Sequence, residues 1–103
     1  MRILTILVLV ALALSGGGVS TFAQDIEHGR RVSERWCSEC HAIGPVPSKA
    51  GRTISFAAIA AKPGISPAMI SSFLLMPHAT MPNLPLSRKD AGDIAAFIME
   101  MKK

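Results

Sequence analysis

The sequence predicts an all-α fold of three to four short helices for residues 24–103. Apolar side chains recur at helical spacing after Asp25, Ser66 and Ser87, and each of these residues is a typical helix N-cap. Prolines and glycines separate the apolar segments, and no stretch shows the alternation that indicates a convincing β-strand. No internal repeat is present, so the helices are expected to form one domain.

The first 23 residues have the pattern of a secretory signal peptide. Arg2 precedes an apolar run at residues 3–14, and small residues lead to a cleavage position after Ala23. A membrane-spanning helix needs about 20 apolar residues, and these 12 are too few for a stable anchor. We therefore expect cleavage, export to the periplasm, and a domain of residues 24–103 without a membrane span.

The expected mature chain has a small positive charge. The full sequence has 11 Lys and Arg against 7 Asp and Glu, a formal net charge of +4, and removing Arg2 leaves +3. This charge is far below that of a nucleic-acid-binding domain, so no nucleic-acid partner is expected. A chain of this size buries a limited part of its surface, and a disulfide bond, a metal or a cofactor would add stability.

Each predicted helix has local start or stop signals. The first follows Asp25, and its apolar face carries Ile26, Gly29, Val32 and Trp36. Gly29 inside this helix indicates a close approach of another backbone. A short helix follows Ser55, and Lys62-Pro63-Gly64 ends it.

The third predicted helix has Ser66 as N-cap and Pro67 at its first position, and it stops near Met76 before Pro77. Its apolar face carries Met69, Ile70, Phe73 and Leu74. The last helix begins after Ser87 with a capping box to Asp90. Its broad apolar stripe comprises Ala91, Ile94, Ala95, Phe97, Ile98 and Met101.

The segment WCSECH, residues 36–41, allows two chemistries. Cys37 and Cys40 are three residues apart, as in a thiol–disulfide oxidoreductase, and His41 follows directly, as in covalent haem attachment. A redox dithiol of the thioredoxin type follows a strand in an α/β fold, whereas a helix is predicted here. We therefore predict one haem c, with Cys37 and Cys40 forming thioethers and His41 ligating the iron.

With these residues the chain resembles a small bacterial class I cytochrome c. The resemblance covers nearly all of residues 25–103 and rests on three stretches: G-x7-C-x-x-C-H at 29–41, MPN at 81–83 and LS…D…DIAAFI at 86–98. It implies that the first and last helices cross at Gly29, with Phe97 packed near the crossing. It also implies that a proline carbonyl, of Pro45 or Pro47, orients His41.

The predicted second axial ligand is Met81. It lies in a loop stiffened by prolines, which lowers the entropy cost of holding its sulfur over the iron, and the resemblance implies the same position. The alternatives are Met76, His28 and His78. The remaining methionines of the domain are predicted to be core fillers on helices: Met69, Met99 and Met101.

Two axial protein ligands leave no open site for a substrate, so the sequence predicts an electron-transfer protein rather than an enzyme. We expect a monomer that carries single electrons between redox partner proteins. The alternatives are a haem-based ligand sensor, a c-type subunit of a larger oxidoreductase and, less favoured, the thiol–disulfide oxidoreductase. Three further groups have two interpretations each. Trp36 covers a haem edge or belongs to the ordinary core, and Lys49 and Arg52 pair with a propionate or lie in a solvated loop. The basic group Arg30, Arg31 and Arg35 meets an acidic partner or forms a solvated helix face.

Overall fold

A computed structural model describes residues 24–44, 53–76 and 81–103. These ranges contain four α-helices and no strand: α1 at Ile26–Trp36, α2 at Phe56–Ala60, α3 at Pro67–Leu75 and α4 at Arg88–Met99. The predicted all-α class is therefore confirmed. The predicted signal peptide at residues 1–23 lies outside the described residues.

Three helices begin at the N-caps that the sequence predicts, and α2 begins after Ser55, where a short helix is predicted. In each helix a side-chain oxygen of the cap accepts a hydrogen bond, 2.9 to 3.2 Å long, from the backbone N–H three residues later. The caps are Asp25, Ser55, Ser66 and Ser87. Asp90 returns a bond to the Ser87 N–H at 3.0 Å, which completes the capping box. These bonds fix where each helix starts, independently of tertiary packing.

Helices α1 and α4 form the largest helix–helix contact, and Gly29 lies at its closest point. A Cβ atom added to Gly29 would lie 2.9 Å from the backbone nitrogen of Ile94 and would overlap the Asp93 carbonyl group. The backbone N–H of Asp25 also donates to Asp93 Oδ1 at 2.9 Å. The predicted crossing at Gly29 is confirmed.

The core surrounds α4, which contacts all three other helices. The α4 stripe is buried as predicted, apart from Met101, which is half-buried. Phe56 of α2 and Ile70 of α3 pack against it, and the Phe56 ring meets the Phe97 ring edge-on at 6.1 Å between centroids. The core thus packs α1, α2 and α3 against α4. The faces of these three helices that do not contact α4 remain available to form a site.

The buried row of α1 differs from the prediction. Ile26 and Trp36 are exposed, whereas Ser33 and Cys37 are buried together with Gly29. Residues 29, 33 and 37 are four apart, so they form one row along the helix. Gly29 in this row lets the α4 backbone approach closely, and the bulkier Ile26 and Trp36 are exposed.

Candidate cofactor site

The Cys-x-x-Cys-His motif forms a helical turn at the end of α1. The Cys37 N–H donates to the Ser33 carbonyl at 2.8 Å. The Cys37 carbonyl then accepts bonds from the N–H groups of Cys40 and His41, at 3.1 and 2.8 Å. Cys37 is only 4% exposed, whereas Cys40 is exposed. The turn therefore places one cysteine against the core and the other toward water.

One cavity of about 460 Å³ brings the predicted site residues together. Cys37, Cys40, His41 and Met81 all line it. This volume lies within the usual range of cofactor and ligand pockets. The other lining residues are mainly apolar: Trp36, Thr53, Ile54, Phe56, Ile59, Lys62, Ile65, Met69, Ile70, Phe73, Leu74, Pro82, Leu84 and Ile98.

His41 is oriented by a backbone carbonyl, as predicted, but the residue is different. Its Nδ1 lies 2.6 Å from the carbonyl oxygen of Ile54. Pro45 and Pro47, the predicted acceptors, lie outside the described residues. A carbonyl only accepts hydrogen bonds, so Nδ1 carries the proton of this bond, and in the neutral ring the lone pair that a metal requires is on Nε2.

Tertiary packing explains why Ile54 takes this role. The Phe56 N–H donates to the Ala42 carbonyl at 3.0 Å, which holds the start of α2 beside the attachment turn. The Phe56 ring lies 5.5 Å from the His41 ring, between centroids. Both contacts join segments more than ten residues apart, and no local sequence signal specifies them.

The positions of the methionines, in the core or at the cavity, differ in part from the prediction. Met69 lines the cavity and is 55% exposed, so its assignment as a core filler is wrong. The next residue, Ile70, also lines the cavity but is buried in the core. Met99 and Met101 pack against the core as predicted. Among the described residues, the cavity thus contains two thioethers, those of Met69 and Met81.

Of the two histidine alternatives, the described part of the chain includes His28 alone, and it does not support His28 as a ligand. His28 Nε2 lies 2.8 Å from Asp90 Oδ1 and links α1 to α4, away from the cavity lining. Hydrogen bonds from His28 and from the Ser87 backbone lower the pKa of Asp90. His78 is outside the described residues. Met76 is described and exposed but is not part of the cavity lining.

Trp36 forms part of the cavity wall rather than the ordinary core. It is 41% exposed, and the Arg35 guanidinium carbon lies 5.2 Å from its ring centroid. The predicted basic group on α1 is partly neutralised, because Arg30 pairs with Glu27 at 2.6 Å and with Glu34 at 2.7 Å. Lys49 and Arg52 lie outside the described residues.

The environment of the cysteines disfavours disulfide exchange. Burial raises the pKa of Cys37 to about 11, against a smaller opposite effect of the Ser33 hydroxyl. Cys37 is therefore a protonated thiol at neutral pH, whereas a catalytic dithiol needs a readily formed thiolate. No strand precedes the motif in the described ranges, so the scaffold of that chemistry is also missing there.

These observations fit a covalently bound haem. The cavity wall is apolar, both cysteines are within it, and His41 presents a nitrogen lone pair. An all-helical chain with a Cys-x-x-Cys-His turn at the edge of such a cavity has the class I cytochrome c fold. Within the described ranges, no helix has the length and apolar character needed to cross a bilayer.

Comparison with known proteins agrees with this class. The chain is 39% identical over 94 residues to cytochrome c-552 of Bradyrhizobium diazoefficiens, covering 90% of this chain and 90% of that protein. No family profile and no solved structure matches the chain. The chain belongs to the c-type cytochromes, a family of electron-transfer proteins that act with redox partners. Its cofactor is haem c, with its iron, bound covalently.

Proposed function

We propose that this chain is a periplasmic, monomeric carrier of single electrons between redox partner proteins, and not an enzyme. Cys37 and Cys40 would form the two haem thioethers, with His41 and Met81 as the axial ligands of the iron. The observation that carries the proposal is that these four residues line one apolar cavity. They belong to two separate parts of the sequence, 40 residues apart from His41 to Met81.

The haem would supply an iron that alternates between the ferrous and ferric states. His41 would ligate it through Nε2, because Nδ1 donates to the Ile54 carbonyl and fixes the ring orientation. The thioether of Met81 would favour the softer ferrous state and raise the reduction potential. With both axial positions occupied by the protein, no open position would remain for substrate chemistry.

The apolar wall and the loop after Met81 support rapid electron transfer. Apolar side chains on the cavity wall keep water away from the iron, which limits solvent rearrangement when the charge changes. Pro82 follows Met81, and Pro85 follows shortly after. Their restricted backbones reduce the conformational freedom that must be lost to hold the sulfur in place.

The proposed location rests on residues 1–23. Their charged start, apolar run and small residues before Gln24 have the pattern of a signal peptide. Cleavage after Ala23 would release the domain of residues 24–103 into the periplasm. Expression with haem maturation machinery, followed by intact mass and a pyridine haemochrome spectrum, tests both steps. The expected product is residues 24–103 plus one haem, whereas a colourless protein of that mass would contradict the proposal.

The axial ligand is tested with two matched variants, Met81→Ala and Met69→Ala. Both remove a thioether from the same cavity, but only the Met81 variant should lose the sulfur-to-iron absorption band and become high-spin. Its midpoint potential should also fall, because the thioether stabilises ferrous iron. Loss of the band in Met69→Ala, with retention in Met81→Ala, would show that Met69 is the ligand.

Carbon monoxide binding separates the electron carrier from a haem-based sensor. The ferrous wild type is expected to bind carbon monoxide slowly, because Met81 occupies the sixth position, whereas Met81→Ala should bind it rapidly. Rapid binding by the wild type would favour a sensor. The measurement is stopped-flow absorbance after mixing the reduced protein with carbon monoxide.

A further inference from the structure

Lys62 differs from every other residue that lines the described cavity wall. It contributes the single Lys, Arg, Asp or Glu side chain among the lining residues of the described ranges. The residue is exposed, so its ammonium group is accessible to water. A long Lys side chain can lie along an apolar wall while its charged end stays in water.

The backbone of Lys62 is held firmly at this wall. Its N–H donates to the Ile59 carbonyl at 3.1 Å, and its carbonyl accepts from the Ile65 N–H at 3.3 Å. Both neighbours, Ile59 and Ile65, also line the cavity. Lys62 therefore belongs to the cavity wall through its backbone as well as through its position next to Ile59 and Ile65 in the lining.

Lys62 lies two residues after the end of α2. The start of α2 is tied to Ala42 by the Phe56 N–H, directly after His41. The five residues of α2, each rising about 1.5 Å, therefore lie between Lys62 and the contact with the motif. The vinyl groups of a haem, which Cys37 and Cys40 would hold, lie at the edge of the ring opposite the one that carries the propionates.

We infer that Lys62 binds a haem propionate and marks the propionate edge of the cavity. This inference rests on the proposed function, because it requires a haem attached at Cys37 and Cys40. The ammonium group would offset the negative charge of the carboxylate, because no other Lys or Arg of the described ranges lines the cavity. Lys62 would thereby raise the reduction potential and keep the propionate ionised at neutral pH.

The test compares Lys62→Gln with Lys102→Gln in the holoprotein. Both variants remove one positive charge, but Lys102 follows the end of α4 and does not line the cavity. Removing the charge near the iron favours the ferric state. We expect Lys62→Gln to raise the ferric-to-ferrous ratio, at a fixed ambient potential, roughly threefold to tenfold. Lys102→Gln should leave the ratio nearly unchanged, and Lys62→Arg should retain the wild-type ratio.

The pH dependence gives a second readout that a purely structural effect would not produce. Without its cation, the propionate should have a higher pKa, so the pH range over which the potential varies should move upward in Lys62→Gln. Equal potentials and equal pH profiles for Lys62→Gln and Lys102→Gln would overturn the inference. Absence of covalent haem from the wild type would instead contradict the proposed function, so the two failures are distinguishable.

Discussion

At the scale of single residues, Gly29 shows how little space separates α1 from α4. A methyl group at Gly29 would meet the backbone of Asp93 and Ile94, which cannot move without displacing α4. Overpacking of this kind costs about 1 to 3 kcal/mol, and the better helix propensity of Ala offsets about 1 kcal/mol. We expect Gly29→Ala to lower the free energy of unfolding of the holoprotein by up to about 2 kcal/mol.

Gly92→Ala is the matched control, because Gly92 lies on the partner helix α4. Its added methyl would meet the Gln24 side-chain amide at 2.7 Å, and that flexible side chain can rotate away. We expect unchanged stability, or a gain of up to about 1 kcal/mol from helix propensity. Denaturant unfolding of both variants checks the pair. Similar losses in both would contradict the assignment of Gly29 as the crossing residue.

Met69 and Met81 show, at the same scale, that residue type alone does not define a ligand. The two sulfurs line one cavity. Met69 belongs to the first turn of α3, whereas Met81 is followed by a segment without regular secondary structure before α4. A residue on a helix has less freedom to place its sulfur than one on a loop, and this difference supports Met81.

At the scale of elements, α1 and α4 are linked through polar contacts as well as through Gly29. His28 on α1 bonds Asp90 on α4 at 2.8 Å, and this bond is the main cause of the lowered pKa of Asp90. A carboxyl with a lowered pKa in the folded state stabilises the fold at pH values above its unfolded pKa of about 3.8. That contribution is lost as the pH falls through the lower folded-state pKa.

The corresponding prediction concerns acid destabilisation. Asp90→Asn should be less stable than the wild type at pH 7, and the difference between the two proteins should shrink as the pH falls below about 4. Unfolding free energies measured at pH 7 and pH 3 check this expectation. Glu100→Gln, which changes an exposed carboxyl at the end of α4, is the control and should lose less stability at pH 7 than Asp90→Asn. A constant difference for Asp90→Asn would contradict the assigned role.

The N-caps operate at the same scale but through local bonds. Ser87 caps α4 and exchanges two hydrogen bonds with Asp90. Replacing an N-cap Ser by Ala typically costs about 1 kcal/mol. We expect Ser87→Ala to lower stability by about this amount without changing the absorption spectrum of the haem, because Ser87 does not line the cavity. Thermal unfolding and the visible spectrum together check the prediction, and a changed haem spectrum would contradict it.

At the scale of the whole molecule, the cofactor is expected to complete the hydrophobic core. The cavity wall includes large apolar side chains that are exposed in the polypeptide, such as Phe73 at 52% and Met69 at 55%. Burying one such side chain contributes about 1.5 to 3 kcal/mol, while a small domain is stable by only about 5 to 15 kcal/mol. Contacts of several wall residues with the haem are therefore comparable to the total stability of the fold.

Removal of the haem gives the matching prediction. The same chain produced without haem maturation machinery should lose its cooperative thermal transition and bind a hydrophobic dye, while keeping part of its helical circular dichroism. Holoprotein of identical sequence is the control, so no substitution complicates the comparison. An apoprotein that unfolds cooperatively at the temperature of the holoprotein would show that the haem adds no stability.

The sequence by itself determined the features that depend on neighbouring residues. The helical class and the N-caps Asp25, Ser66 and Ser87 are each specified within a few positions, and the structure confirms them. The Cys37-x-x-Cys40-His41 motif is an equally local pattern, and its role in binding the haem stays a prediction. Gly29 was also identified, because a glycine within a helix is costly and its retention indicates a packing requirement.

The tertiary structure alone decided which distant residues meet. The Ile54 carbonyl bonds His41, Met69 turns toward the cavity, and Lys62 joins the wall, because α2 and α3 pack against α4 in one particular orientation. The buried row of α1 likewise follows from the approach of α4 and not from the hydrophobicity of α1 itself. Such contacts depend on the shapes of segments that are remote in sequence, and a local sequence pattern does not specify those shapes.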